Sequence, residues 1–353
     1  MNKRLFIWIG LVFTLLACNL GTSAATPASD LFATLSASTP LSVNPSAATD
    51  PAPTTSSTFI LSTPIPSTMT VPTSSSTDQP KGQIVYTCQV FKAQASNQIC
   101  IINADGTGFR RLTTDDTKQH YYPSLSPDGK SVVYAAFLQA NIYEIYEMNL
   151  ATGKVVQLTN KLGNLNAPEI SPDGKHIIFK TWSANTDKNV IWMMDRDGKN
   201  ADKVSRVVGW DPTWSPDGQT ILFASDMDGA IQLFRMRTNG KELHRVSSLP
   251  AIRGRSDWSP DGQLIVTYSG EPWHHEVYLM NVDGSNARVL SSAGGNSQGA
   301  SFSPDGQWVT FTAYYDHPGD DHGCEIYIMR IDGTELRRIT DNDYCDYQPR
   351  WGS

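Results

Sequence analysis

The tetrapeptide Ser-Pro-Asp-Gly occurs five times, beginning at Ser126, Ser171, Ser215, Ser259 and Ser303, at spacings of 45, 44, 44 and 44 residues. A fixed period of that length, with room for about four short strands per repeat, specifies a β-propeller. Such a fold is a scaffold whose chemistry resides in its loops. The repeat around Ser215 shows the local logic. Pro212-Thr-Trp214 reads as a short first strand that runs into Ser215-Pro-Asp-Gly218. Proline presets φ for the second turn position and glycine accepts the left-handed position that ends the turn. Second and third strands follow at Thr220–Ala224 and Ile231–Met236, and a turn at Asn239-Gly240 leads into a fourth at Leu243–Val246.

The third strands carry an aromatic residue two positions before a methionine: Tyr146/Met148, Trp192/Met194, Phe234/Met236, Tyr278/Met280 and Tyr327/Met329. That spacing puts both side chains on one face of a strand, and the residue types assign that face to the core between sheets. Leu125, Ile170, Trp214, Trp258 and Phe302, each just before a turn serine, are expected in the core as well. The five turn aspartates are expected to form turns. Spread around a ring, they cannot converge on one substrate.

Two partial repeats complete the pattern. Gly82–Thr87 matches a second strand, Asp105-Gly106 ends a third, and Arg110-Arg-Leu-Thr113 matches a fourth, with no first strand before them. Gln348-Pro-Arg-Trp351 matches a first strand, with Trp351 in the slot of Trp214. The expected fold is therefore all-β: a six-bladed β-propeller over residues 82–353, in which the C-terminal strand completes the first blade. Closure removes the exposed edges that invite aggregation.

Repeats of this form (Trp-Ser-Pro-Asp-Gly, then Ile-x-Phe, then Ile326-Tyr-Ile-Met-Arg-Ile-Asp-Gly333, then Arg337-Arg-Ile-Thr340) resemble the TolB-like six-bladed propellers. The resemblance implies an extracytoplasmic protein that binds envelope partners. The N-terminal α/β domain of that family's namesake has no counterpart here, where a low-complexity segment stands in its place, and no peptidase domain is expected after the propeller.

The N-terminus indicates where such a propeller works. Lys3-Arg4 form a basic region and Leu5–Leu16 an apolar one, too short to span a bilayer. Leu15-Leu16-Ala17-Cys18 resembles a bacterial lipobox. Residues 1–17 are thus expected to be a lipoprotein signal peptide and Cys18 the lipidated first residue of the mature chain. Residues 18–81 follow as a tether. From Asn19 to Pro80, 43 of 62 residues are Ser, Thr, Pro or Ala, a composition that cannot bury a core. Its coil dimension is roughly 45 Å and its extended limit about 200 Å. The formal net charge of -7 becomes more negative once Lys3 and Arg4 are lost, and no basic stripe points to nucleic acid.

Four further cysteines in an exported chain favour disulfides, with Cys88–Cys100 and Cys324–Cys345 the preferred pairs and four buried thiols the alternative. The tight turns all lie on one face of the ring. The longer loops, where binding residues concentrate, lie on the other. Trp210, Asp211, Arg253, Arg255, Trp273 and Tyr314 are the candidate contact residues there. Two of these loops, Glu271–Glu276 and Asp316–Cys324, hold four of the seven histidines. His274, His275, Asp316, His317, Asp320 and His322 are candidate metal ligands, although their spacing matches no established metal signature. Gly295-Asn-Ser297-Gln-Gly299 fits the hydrolase G-x-S-x-G pattern, but it sits before a strand rather than in a strand-to-helix turn, so it is read as chance. The leading expectation is a lipid-anchored extracytoplasmic scaffold, monomeric and without a cofactor, that binds an envelope protein or glycan. The competing class is a metal-assisted polysaccharide lyase or hydrolase built on the His/Asp loops.

Overall fold

In the computed structural model, residues 79–90, 96–139, 142–183, 188–252, 254–291, 296–314 and 323–353 are described. Cys18, the Ser/Thr-rich segment, Arg253, Asp316, His317, Asp320 and His322 lie outside them.

The five Ser-Pro-Asp-Gly turns are built alike. Each serine hydroxyl donates to the aspartate Oδ1 two residues on, at 2.5–2.6 Å. The same oxygen accepts the N–H of the residue after the glycine, at 3.0–3.2 Å. The serine Oγ also accepts the N–H five residues on, at 2.8–3.0 Å. Hydrogen bonds from serine hold the carboxyls of Asp128, Asp173, Asp217 and Asp261 below the usual carboxylate range. These aspartates are turn formers, and none is free to act on a substrate.

Between the turns the chain makes antiparallel ladders. Four sheets have four strands each, and a fifth has eight. The eight-stranded sheet is two consecutive antiparallel runs, residues 120–157 and 164–208, joined by one parallel pair, Tyr143 with Asn164. The first sheet has the order Asp346–Gly352, Gln83–Gln89, Asn97–Asn103, Arg110–Arg111. The C-terminal strand therefore pairs with the first strand of the domain, with Trp351 opposite Ile84 and Asp346 opposite Cys88. The innermost strands, 120–125, 164–170, 210–214, 257–258, 298–302 and 346–352, contact one another in a closed cycle. The cycle brings the two ends of the domain together.

The core lies in layers between neighbouring sheets. One cluster joins Ile178 and Ile191 to Trp214, Ile221, Phe223, Phe234 and Met236. Another joins Val266, Val277 and Leu279 to Phe302, Val309, Phe311, Tyr327 and Met329. All five methionines of the aromatic–Met pattern and every pre-turn hydrophobic are buried. At the closure, Trp351 packs with Ile84, Tyr86 and Ile102 of the first sheet and with Trp308, Ile326 and Ile328 of the last. Its Nε1 donates to the Lys81 carbonyl at 2.8 Å. Losing a buried indole of this kind costs about 3–5 kcal/mol. Glycine at the third-to-fourth-strand turns permits close stacking, since a Cβ at Gly284 would collide with the Val246 carbonyl of the preceding sheet.

The outer strands are shorter than the sequence suggests. The one expected at Leu243–Val246 is only His244–Arg245. A side-chain clamp takes over from the ladder beyond it: Ser247 Oγ accepts the Leu233 N–H at 2.9 Å and donates to Gln232 Oε1 at 2.7 Å. Thr113, Thr159, Ser291 and Thr340 accept the matching N–H in their own repeats. This clamp is the physical reason a serine or threonine recurs at that position, as Thr113, Thr159, Ser247, Ser291 and Thr340. Both preferred disulfides are present, Cys88–Cys100 and Cys324–Cys345, with Cα separations of 5.8 and 4.6 Å.

Candidate functional site

The ring's hollow is crossed by charged side chains that bulged inner strands deliver. Register shifts interrupt five of the inner-strand ladders. At or beside each bulge a residue adopts positive φ: Gln348 at 58°, Tyr122 at 54°, Ala167 at 51°, Asp211 at 50° and Gly299 at 67°. A bulge re-aims the side chains of its strand. Just before the pre-turn hydrophobic, alternate repeats then place Arg350, Glu169 and Asp257, with Ser124, Thr213 and Ser301 between them.

These groups bind across the ring. Glu169 Oε1 accepts the Thr213 hydroxyl at 2.9 Å and the Trp214 N–H at 3.0 Å. Asp257 Oδ2 accepts the Ser301 hydroxyl at 2.7 Å and the Phe302 N–H at 3.0 Å. Ser301 Oγ in turn accepts the Trp351 N–H at 3.2 Å. Arg350, 6% exposed, lies 3.4 Å from Glu169 and 3.5 Å from Asp257 and donates to the Ser256 carbonyl at 3.1 Å. Burial pushes the Glu169 carboxyl up, against the pull of Arg350. Arg255, 5% exposed, extends from the fifth repeat to the Pro123 carbonyl at 2.9 Å and the Gln348 carbonyl at 3.5 Å, over the Tyr122 ring. Burial first, and the charge of Arg350 second, lower its pKa to about 9, so it stays a cation at neutral pH.

Sequence reasoning placed Asp211 and Arg255 among the contact residues of the long-loop face; the structure buries Arg255 and leaves Asp211 half-buried. Arg255 is buried on the axis, and Asp211 Oδ2 accepts the Arg255 backbone N–H at 3.1 Å. Tyr314 is also buried, at 8% exposure, while Trp210 is half-buried. Among the described candidates Trp273 is the exposed one, 48% exposed, with its ring edge-on to Tyr314 at 6.0 Å. The turn that carries it is closed by the His274 N–H donating to the Glu271 carbonyl at 2.9 Å. Trp273 occupies its third position at φ 65°, where glycine or asparagine normally sits. Holding a bulky side chain there costs about 1–3 kcal/mol.

An aromatic collar continues around the mouth. Tyr347 OH donates to Asn97 Oδ1 at 2.8 Å, and Asn97 Nδ2 donates to Tyr121 OH at 2.9 Å. Tyr143 stands edge-on to Tyr121 and to Phe137. Of the candidate metal ligands, His274 and His275 are described. His275 Nδ1 lies 2.7 Å from Asn296 Oδ1, and His274 is exposed with Nδ1 3.2 Å from the Pro272 carbonyl. Among the described residues no three His, Cys, Asp or Glu side chains are grouped to hold a metal. Asp316, His317, Asp320 and His322 lie outside that set. Ser297 of the G-x-S-x-G coincidence is fully buried beside an inner strand, the wrong setting for a nucleophile.

Residues 80–320 match the TolB beta propeller domain. The chain belongs to this family. A Tol-Pal system protein TolB from Francisella tularensis subsp. tularensis is 28% identical over 120 residues, 34% of this chain and 27% of that one. An uncharacterized protein of Agrobacterium fabrum is 32% identical over 141 residues, 36% of this chain and 47% of its own length. The matches thus span less than half of either relative. Crystallographic TolB from Acinetobacter baumannii superposes with a TM-score of 0.68 at 23% identity, covering 78% of this chain and 67% of that one. A putative TolB from Agrobacterium tumefaciens gives 0.59 at 18%, covering 78% and 99%. These two superpositions show the shared fold.

In this TolB-family propeller a pair of perturbed carboxyls sits at the closing seam. Asp346 and Glu325 are buried, and Asn342 Nδ2 bridges them at 2.9 and 3.5 Å. Glu325 also accepts from Thr340 Oγ1, from the Asn342 N–H at 2.7 Å and from Arg338 at 3.0 Å. Burial, then the Glu325 charge, pushes the Asp346 carboxyl up to about 8. Because the folded state binds this proton more tightly, the stability it contributes is full below about pH 4. It is lost as pH rises through about 8. Melting temperature across that window is expected to fall toward high pH, and Asp346→Asn to flatten the decline. An unaltered pH profile in the variant would contradict the assignment.

Proposed function

We propose that this chain is a six-bladed propeller, the eight-stranded sheet counting as two blades. It is anchored by lipid at Cys18 outside the cytoplasm and binds an envelope protein or glycan through its long-loop face. The observation that carries this reading is Trp273, a half-exposed indole held in a strained turn beside the aromatic collar. Strain that no packing need explains points to a retained binding role, and rigid aromatics are the usual anchors of interfaces. The Tol-Pal name of the Francisella relative supports an envelope partner, and two disulfides suit an oxidising compartment.

Two variants test the proposal. Cys18→Ser should move the protein from the membrane fraction to the soluble one, and continued detergent-phase partitioning would rule out the anchor. Trp273→Gly should leave melting temperature unchanged or slightly higher, because glycine accepts the positive φ at no steric cost, while crosslinked capture of envelope protein or glycan is lost. Intact capture with a lowered melting temperature would show the indole to be structural.

A further inference from the structure

The two axial arginines leave an unexplained gap. Each extends to the strand that carries the other: Arg255 donates to the Gln348 carbonyl, and Arg350 to the Ser256 carbonyl. The guanidinium groups therefore cross between the inner strands of the fifth and first repeats, close enough for the charge of Arg350 to depress the pKa of Arg255. Their carboxylate partners are unevenly shared. Arg350 serves both Glu169 and Asp257. Among the described residues no carboxylate lies within ion-pair distance of the Arg255 guanidinium, which meets only two backbone carbonyls and the Tyr122 face. Arg255 Nε, Arg350 Nε and Arg350 Nη1 are enclosed without a hydrogen-bond partner. Leaving buried donors unmet is unfavourable, more so when they are charged, and two like charges held together in low dielectric add to that.

We propose that the propeller axis is an oxyanion-binding site, with a sulfate, phosphate or carboxylate group held between Arg255 and Arg350. One planar or tetrahedral oxyanion accepts from both Nε groups at once, in the geometry arginine forks favour. It supplies the counter-charge that Arg255 lacks and screens the two guanidiniums from each other. Glu169 and Asp257 pair with Arg350 there, and Asp211 acts on both Arg255 and Lys180. The first two are occupied by hydroxyl and backbone donors besides Arg350, and Asp211 by the Arg255 backbone N–H. The site therefore rests on Arg255.

The experiment titrates the full chain with sulfate, phosphate and acetate against sodium chloride at equal ionic strength and follows the melting temperature. At least one oxyanion should give a saturable rise beyond chloride, roughly 5 °C at a hundredfold excess over Kd. Arg255→Gln should abolish that rise, and Arg255→Lys should weaken it, while Lys199→Gln, an exposed turn residue, keeps it. Should Arg255→Gln fail to fold, crystals of the unaltered chain soaked in selenate provide an independent measure, with an anomalous peak expected between the two Nε atoms. Competition of acetate with envelope capture would mark the oxyanion as one carried by the ligand, and no competition as a resident free ion. Water alone bridging the two Nε atoms, a response equal to that of chloride, or a response retained by Arg255→Gln would each overturn the site.

Discussion

Arg350 answers two carboxylates at once, and the geometry of the ring depends on that arrangement. Its strand is the last of the chain and belongs to the first sheet, while Glu169 and Asp257 belong to the third and fifth repeats. Each carboxylate also accepts a hydroxyl and a backbone N–H from the following inner strand. One cation thus fixes alternate strands, and each anion fixes its neighbour. Buried ion sets contribute little net stability because desolvation offsets the Coulomb gain. Their effect here is on registry, since a slipped inner strand would leave a charge buried without its partner.

The outward parts of the fold were legible in the sequence because each depends on residue type at a fixed spacing. Turn chemistry gave all five Ser-Pro-Asp-Gly turns, burial habits gave the methionines and pre-turn hydrophobics, and the split repeat pointed to the C-terminal strand that pairs with Gln83–Gln89. The axis was not legible, for a specific reason. Period-2 reasoning assigns alternate residues of a strand to opposite faces. The bulges at Tyr122, Asp211 and Gln348 insert one residue and reverse that assignment. Asp211 sits at one of these bulges; Arg255, read with it as a long-loop residue, is buried although its own inner strand carries no register shift. The signal that was present lay one position before each pre-turn hydrophobic. Ser124, Glu169, Thr213, Asp257, Ser301 and Arg350 alternate hydroxyl and charge around the repeats, a pattern that looks like surface variation until the strands are arranged as a ring.

The loop face obeys a different rule. Trp273 is misplaced by turn chemistry and exposed by packing, so neither the scaffold's stability nor its repeat explains it. The axial residues show the reverse: Arg255 and Arg350 are buried, and Glu169 and Asp257 each bind several donors. The charged centre sets shape, and the exposed Trp273 in its strained turn is the part available for recognition.

The central claim is that the axial ring of carboxylates and Arg350 locks the inner strands as one cooperative unit. Native-state hydrogen exchange at the amides of Trp214, Phe302 and Trp351 measures this directly, because those N–H groups donate to Glu169, Asp257 and Ser301. The account predicts that all three exchange only through global unfolding, with the same free energy and the same denaturant dependence. Exchange of any one of them through a separate, lower-energy opening, while second-strand amides such as those of Ile221 and Phe223 remain protected, would contradict it.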